Sequence, residues 1–579
     1  MKRRFAPFPL AAASLAALVM LPALSGNPAL AVQTADDVDL NSLAGTYLAA
    51  RTADVEKDLP NAAHFYRSAL EADPESQFLV ERALVLTAAA GDVEGALVFA
   101  EKLRELSPDS HVARLLIAVE ELRAEKYSDA VESLNASGAG VLADLTSALL
   151  AAWAKFGEGE VDEALADLKK LEGEEWYEPF KLLHGGYIAL AAGRTDEALK
   201  AFEAARKHDA NAVRITEAYA RALALSGKTK EAEAALEDFL LRFPDNALAR
   251  VALAEIRAGE PAAGAVATPV QGAAEALAGI GAAIGQEGGL EIASLYLRLA
   301  LYLDRDIAGG LAALSLGSLI DASGHGEAAI EAYDLIAAEA PFRALGALRA
   351  ALALDRMDRT EEAETAFKEA IRRDPEDVQS YISYGNMLRG RERFAESAKV
   401  YSQAIDRIKI PAQADWSLYY FRGIAHERTK EWPKAEADFR KALELSPDQP
   451  LVLNYLGYSW VDMGENLEEG IEMIRKAVEL RPNDGYIVDS LGWAHYRLGE
   501  YDEAVTELER AVSLRPEDPV IHDHLGDAYW KTGRTLEAQF QWRHARDFGA
   551  KSPELELILK KIAEERLIEA DKLQKDAKL

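Results

Sequence analysis

The sequence predicts an all-α solenoid, a right-handed superhelix of about fourteen helix-turn-helix repeats, and three observations predict it. Between Tyr455 and Ala545 the same few residue types recur about every 34 residues. Gly492, Ala504, Ala511 and Pro516 stand at relative positions 8, 20, 27 and 32 of one unit, and Gly526, Ala538 and Ala545 fill the first three of these in the next. With position 20 as ruler, Ala62, Ala96, Ala130, Ala164, Ala198 and Ala232 follow one another at intervals of 34. Finally, a chain of 579 residues is too long for one compact core, whereas in a solenoid each repeat contacts only its neighbours.

The spacing has a physical reason. Small residues at 8 and 20 let two antiparallel helices approach closely, the alanine at 27 accepts the first helix of the next unit, and proline stops the second helix. Large aromatics such as Trp460, Tyr529 and Trp542 fill the gaps. This is the tetratricopeptide (TPR) pattern.

Taken in order, the chain opens on Lys2-Arg3-Arg4, an apolar run from Leu10 to Leu24, and Ala29-Leu30-Ala31, the form of a cleaved signal peptide over 1–31. Pro7, Pro9 and Pro22 interrupt a stretch shorter than the roughly 20 apolar residues a membrane span needs. Export without a stable membrane anchor, with the mature chain beginning at Val32, is the expectation. Residues 32–258 hold an N-terminal array of about six repeats, with Gly91, Gly159, Gly193 and Gly227 where the first helix of a unit must reverse and Pro74, Pro108 and Pro244 closing their units. The register fails over 259–289, an Ala/Gly-rich stretch that reads either as a linker or as a degenerate repeat whose second helix is Glu291 to Leu303. A C-terminal array fills 290–552, and 553–579 reads as a charged capping helix, the polar end a solenoid needs.

Composition excludes several functions. The formal net charge of −32 repels nucleic acid and anionic membranes. Without cysteine there is no disulfide, thiolate metal site, cysteine nucleophile or lipid attachment point. Ser226-Gly227-Lys228-Thr229 resembles the end of a phosphate loop, but Ala222 stands where its first glycine belongs and no strand precedes it. Gly279, Gly281 and Gly285 imitate a dinucleotide fingerprint without the βαβ context. His522 and His524 lie two apart, on different sides of a helix, where metal ligands pair at three or four. No catalytic, cofactor or metal constellation emerges.

The informative positions are those a TPR turns to its concave face, namely 2, 5, 9 and 12 of each first helix. In the last three units they include Asn454 and Tyr458, then Tyr486, Asp489, Trp493 and Tyr496, then Asp523, Asp527 and Trp530. Rings beside Asn and Asp suit an extended peptide, since rings give contact area at low entropic cost and polar groups satisfy its backbone. Packing between repeats is the competing account of these rings. The acidic residues predict a basic or neutral partner segment.

The segments Leu456-Gly457-Tyr458-Ser459-Trp460, Asp489-Ser490-Leu491-Gly492-Trp493-Ala494-His495-Tyr496-Arg497-Leu498-Gly499 and His524-Leu525-Gly526-Asp527-Ala528-Tyr529-Trp530 resemble the C-terminal signature of a family of proteobacterial envelope TPR proteins. In that family the best-understood type is an outer-membrane lipoprotein that acts as adaptor for a periplasmic carboxyl-terminal processing protease and brings it peptidoglycan-hydrolase substrates. This chain departs from that type in lacking a lipobox cysteine. The resemblance implies a non-catalytic periplasmic adaptor that binds extended protein segments in its groove, with the protease and its substrates as partners. A self-assembling envelope scaffold, its partner a second copy of the chain, and an enzyme with an unrecognised site are the alternatives.

Overall fold

The helices follow from the repeat pattern turn by turn. The computed structural model describes residues 42–261 and 266–563, and among these every regular element is helical. The signal segment 1–31 and the capping segment beyond 563 lie outside the described residues. Six antiparallel helix pairs run from Leu43–Val55 to Thr229–Arg242, and eight more from Pro269–Gln286 to Thr535–Asp547. The small residues sit where the pattern requires close approach. Ala62, Ala96, Ala130, Ala164, Ala198, Ala504 and Ala538 are all fully buried, and a Cβ on Gly492 would come within 2.6 Å of Leu508 Cγ. At the turns Gly91, Gly159, Gly193 and Gly227 adopt positive φ, which a side chain would resist.

The register break is where the architecture departs from a simple spiral. Helix Ala247–Ala258 begins 34 residues after Val213, as the first helix of a seventh unit, but among the described residues no second helix of that unit follows it. Ala254, at its position 8, is therefore exposed. The next helices, Pro269–Gln286 and Leu290–Leu303, form a helical hairpin. A capping box starts the first helix, with Thr268 accepting from Gln271 N and the Gln271 side chain accepting from Thr268 N. From Pro269 to Gln286 the Ala/Gly-rich stretch is thus helical, the first helix of the degenerate repeat. With Gly281 at position 8, Ala293 and Ala300 fall at 20 and 27, and all three are buried at the crossing. The second array consequently begins at Pro269, not at residue 290.

That hairpin does not stack on the solitary helix. It lies in the concave groove of the first six repeats, against the first helices Gln77–Ala90, His111–Arg123, Val141–Gly157 and Tyr177–Ala191. Groove positions beneath it are accordingly buried: Leu115 and Val119, Leu149 and Trp153, Tyr187, and, on the next first helix Val213–Leu225, Glu217 and Arg221. One continuous core runs from Ala50 to Ala350. Gly272 lets the hairpin approach the Trp153 indole, where a Cβ would come within 2.0 Å of Cε2. The indole Nε1 donates to His184 Nδ1 at 3.1 Å, and burial pushes that imidazole down to about 3, so it is a neutral acceptor.

Polar contacts fix the hairpin's position. Arg82 reaches Glu291 with two bonds of 2.7 and 2.9 Å and Asp54 at 3.0 Å. Arg214 grips Glu275 with bonds of 2.7 and 2.9 Å while also meeting Glu217. The Tyr296 hydroxyl lies 3.0 Å from Thr146 Oγ1, and the Tyr302 hydroxyl donates to Glu120 at 2.8 Å. Two further links tie the arrays together: His325 Nε2 at 3.0 Å from the Glu56 carbonyl oxygen, and Arg250 paired with Asp374 at 3.0 Å. The N-terminal array and the start of the C-terminal array are therefore interlocked, and the division of the chain at 259–289 is not a boundary between separate cores.

Candidate protein-binding groove

With the first groove filled by the chain itself, the concave face of the later repeats is the open one. It is built from first helices Val378–Gly390, Trp416–Arg428, Pro450–Met463, Gly485–Leu498 and Pro519–Lys531, which the position 8 glycines Gly385, Gly423, Gly457, Gly492 and Gly526 seat closely on their second helices. A short helix over 554–563 continues the surface as the first half of another unit, its Ile558 and Ile562 buried against the last repeat.

The nine groove residues fall into three arrangements. Asn454 and Tyr458 share a turn spacing on one helix and are half-buried. Asn454 Oδ1 is buried without a hydrogen-bond partner. Burial, with Asp462 and Asp489 nearby, pushes the Tyr458 hydroxyl up to about 12, so it stays a donor. In the next unit Tyr486 stands 52 % exposed with the Arg515 guanidinium 4.8 Å from its ring centre. Trp493 is sandwiched, its ring centre 4.7 Å from Tyr496 and 4.1 Å from His524, both nearly parallel. Burial pushes the Tyr496 hydroxyl up to about 12 as well. Trp530 faces Trp542 at 5.7 Å.

The carboxylates are not free. His524 Nδ1 lies 2.9 and 3.1 Å from the two oxygens of buried Asp489. Lys561 Nζ bridges Asp523 at 2.8 Å and Asp527 at 2.7 Å, and Trp542 Nε1 donates to Asp527 at 3.0 Å. Burial raises the Asp523 carboxyl above its usual range although Lys561 pulls the other way. Lys561 had a signal in the sequence, since it follows Asp527 by 34 and so occupies position 9 of a further unit. His522, by contrast, turns away to the Pro516 carbonyl oxygen at 2.9 Å and to Gln541. Asn386 accepts from the Tyr401 hydroxyl at 2.7 Å within its own repeat. Among the described residues no cluster of His, Asp and Glu could hold a metal.

Burial disfavours the His524 imidazolium, but Asp489, with Asp523 and Asp527 beyond it, outweighs that and holds its pKa above the ordinary value. A raised folded pKa contributes stability that is fully present below the unfolded value of ~6.5 and is lost as pH rises through the folded value. Melting from pH 5 upward should therefore show the wild type losing stability relative to Asp489→Asn once pH passes ~6.5, with the His524 ring resonances moving over the same range. Parallel pH curves for the two proteins would contradict it.

Family models for the tetratricopeptide repeat match residues 189–256, 348–414 and 416–449, and a model for the TPR repeat matches 492–533. The chain carries tetratricopeptide repeats. None of the curated proteins matches it. Solved structures similar to this TPR chain include the APC/C hetero-tetramer Cut9-Hcn1, 16 % identical over 90 % of this chain and 97 % of that one, with a TM-score of 0.35. Others are a tetratricopeptide repeat protein from Parabacteroides merdae (13 % identity, 44 % and 99 % of the two chains, TM-score 0.37) and YrrB, a TPR protein with an unusual peptide-binding site (22 %, 34 % and 98 %, TM-score 0.27). TPR repeats suggest a protein–protein interaction scaffold. No helix among the described residues is long and apolar enough to cross a membrane.

Proposed function

We propose that this TPR protein is a non-catalytic adaptor that binds an extended protein segment along the concave face from Asn454 to Trp530. The observation that carries this is the contrast between the two grooves. The first, apolar but for the ion-pair network of Arg214, Glu217 and Arg221, is filled by the chain's own hairpin, whereas the second presents half-buried rings and the exposed Tyr486. The signal-like N-terminus supports export to the periplasm, which N-terminal sequencing tests by a mature start at Val32. The resemblance over Leu451 to Arg546 supports a carboxyl-terminal processing protease and its substrates as partners.

A photo-crosslinking residue placed at Tyr486 in the groove, or at Arg475 on a second helix, separates docking in the groove from adhesion elsewhere. Crosslinks to an envelope protein from position 486 alone are expected. Equal capture from both positions, or none from 486, would defeat the proposal. The charge pairing adds a second expectation. Lys561→Met leaves Asp523 and Asp527 without their cation, so a partner segment carrying Lys or Arg should bind about tenfold more tightly at low salt, ~1.4 kcal/mol, and lose that gain at high salt. Titration of the recovered segment against both proteins checks it.

A further inference from the structure

A second site lies where the two arrays meet, between the turn before helix Leu59–Ala72, the end of helix Gln77–Ala90, the hairpin's second helix, and the turn between helices Leu311–Ala322 and Gly326–Asp334. These elements bound a cleft of about 400 Å³, in the range of small-ligand sites, ~300–1,000 Å³. Its walls are largely apolar, with Leu59, Leu290, Ile320 and Met357 among them. Arg298 also lines it, and this guanidinium is unusual in the molecule. Its Nε is buried without a hydrogen-bond partner, and among the described residues it makes no ion pair. Gly91 makes room for it, since a Cβ there would come within 3.1 Å of Arg298 Cζ.

The charges around the cleft are unevenly committed. Asp58 caps its own helix through Asn61, and Glu327 is taken by Arg359. His325 is held by the Glu56 carbonyl oxygen. Among the described residues Lys57 has no ion-pair partner, and Glu331 is exposed at the rim and acts on Arg298 only from beyond ion-pair distance. Half-buried, the arginine loses part of its hydration without an ion pair in return, and a partly desolvated cation of this kind calls for an anion. A guanidinium fork fits a carboxylate with two parallel bonds, and the walls beyond it suit hydrocarbon.

We propose that this cleft binds an apolar monocarboxylate, with Arg298 holding the carboxylate and the apolar walls enclosing its hydrocarbon. Two sources share that chemistry: a free fatty acid and the C-terminal residue of a peptide with an apolar side chain. Calorimetric titration of the full chain with decanoate and with a pentapeptide ending in leucine, each beside its uncharged counterpart (decanol and the amidated pentapeptide), distinguishes them. At least one carboxylate should bind at least tenfold more tightly than its counterpart, and the one that does identifies the source. Arg298→Gln should abolish that preference while unfolding at the same or a higher temperature than wild type, because it breaks no bond. Ala328→Leu, which keeps the charge but fills the cleft, should weaken binding at least fivefold. The proposal is overturned if neither carboxylate outbinds its counterpart, if Arg298→Gln retains the preference, or if that variant melts well below wild type.

Discussion

Gly272→Leu is expected to destabilise the N-terminal half of the protein by at least about 3 kcal/mol, at or beyond the upper end of overpacking costs. The reason is local and rigid. The added Cβ alone would fall 2.0 Å from Trp153 Cε2, and the indole cannot retreat because it is fully buried and bonded to His184. Relief therefore requires the hairpin to lift from the groove, which exposes the apolar positions Leu115, Val119 and Leu149 together. Urea unfolding should show a lower midpoint for the transition that carries the Trp153 fluorescence change, with binding of a hydrophobic dye before it. Gly285→Ala is the control on the same helix. A Cβ there meets Ala293 and Leu319 at an ordinary 3.6 Å, so the exchange should be neutral or stabilising by up to ~1 kcal/mol. Equal behaviour of the two variants would mean that the hairpin is not clamped against Trp153.

The period was legible because it is imposed by sterics. A residue larger than alanine at 504 or 538 has nowhere to go, so the constraint writes itself into the chain every 34 residues. The hairpin was less legible because its helices keep only Gly281, Ala293 and Ala300 of the pattern, and its Gly272 and Gly279 serve contacts to the distant Trp153 and Phe180 rather than to a neighbouring repeat. The signal for it lay instead in the first array. Leu115, Val119, Leu149 and Trp153 occupy groove positions, and a groove lined by such residues must be covered. In the C-terminal groove the rings and carboxylates were readable from position alone, but their partners were not. Asp489 meets His524 from the next unit and Asp523 and Asp527 meet Lys561 from the one after, contacts between repeats that a repeat-by-repeat reading does not pair. Of the rings, Trp493 stacks between repeats, as the packing account has it, while Tyr486 stays exposed.

Glu275→Gln is expected to cost about 3 kcal/mol, toward the figure for breaking a buried ion pair, because it strands Arg214. Arg214 and Arg221 share Glu217, Glu275 and Glu255, and Glu217, Arg221 and Glu275 are all under 6 % exposed. Glu217 alone cannot replace the two parallel bonds of 2.7 and 2.9 Å that Glu275 supplies from the hairpin. The pair's value lies in placing the hairpin rather than in net stability, since two charges taken from water regain little more than their desolvation. The double variant Arg214→Met with Glu275→Leu should therefore recover most of what Glu275→Gln loses. A double-mutant cycle in urea measures this directly, with a coupling of at least ~2 kcal/mol expected for groups in contact. Additive losses would show that the network does not hold the hairpin in the groove, and the interlock would then rest on the apolar contacts around Trp153 alone.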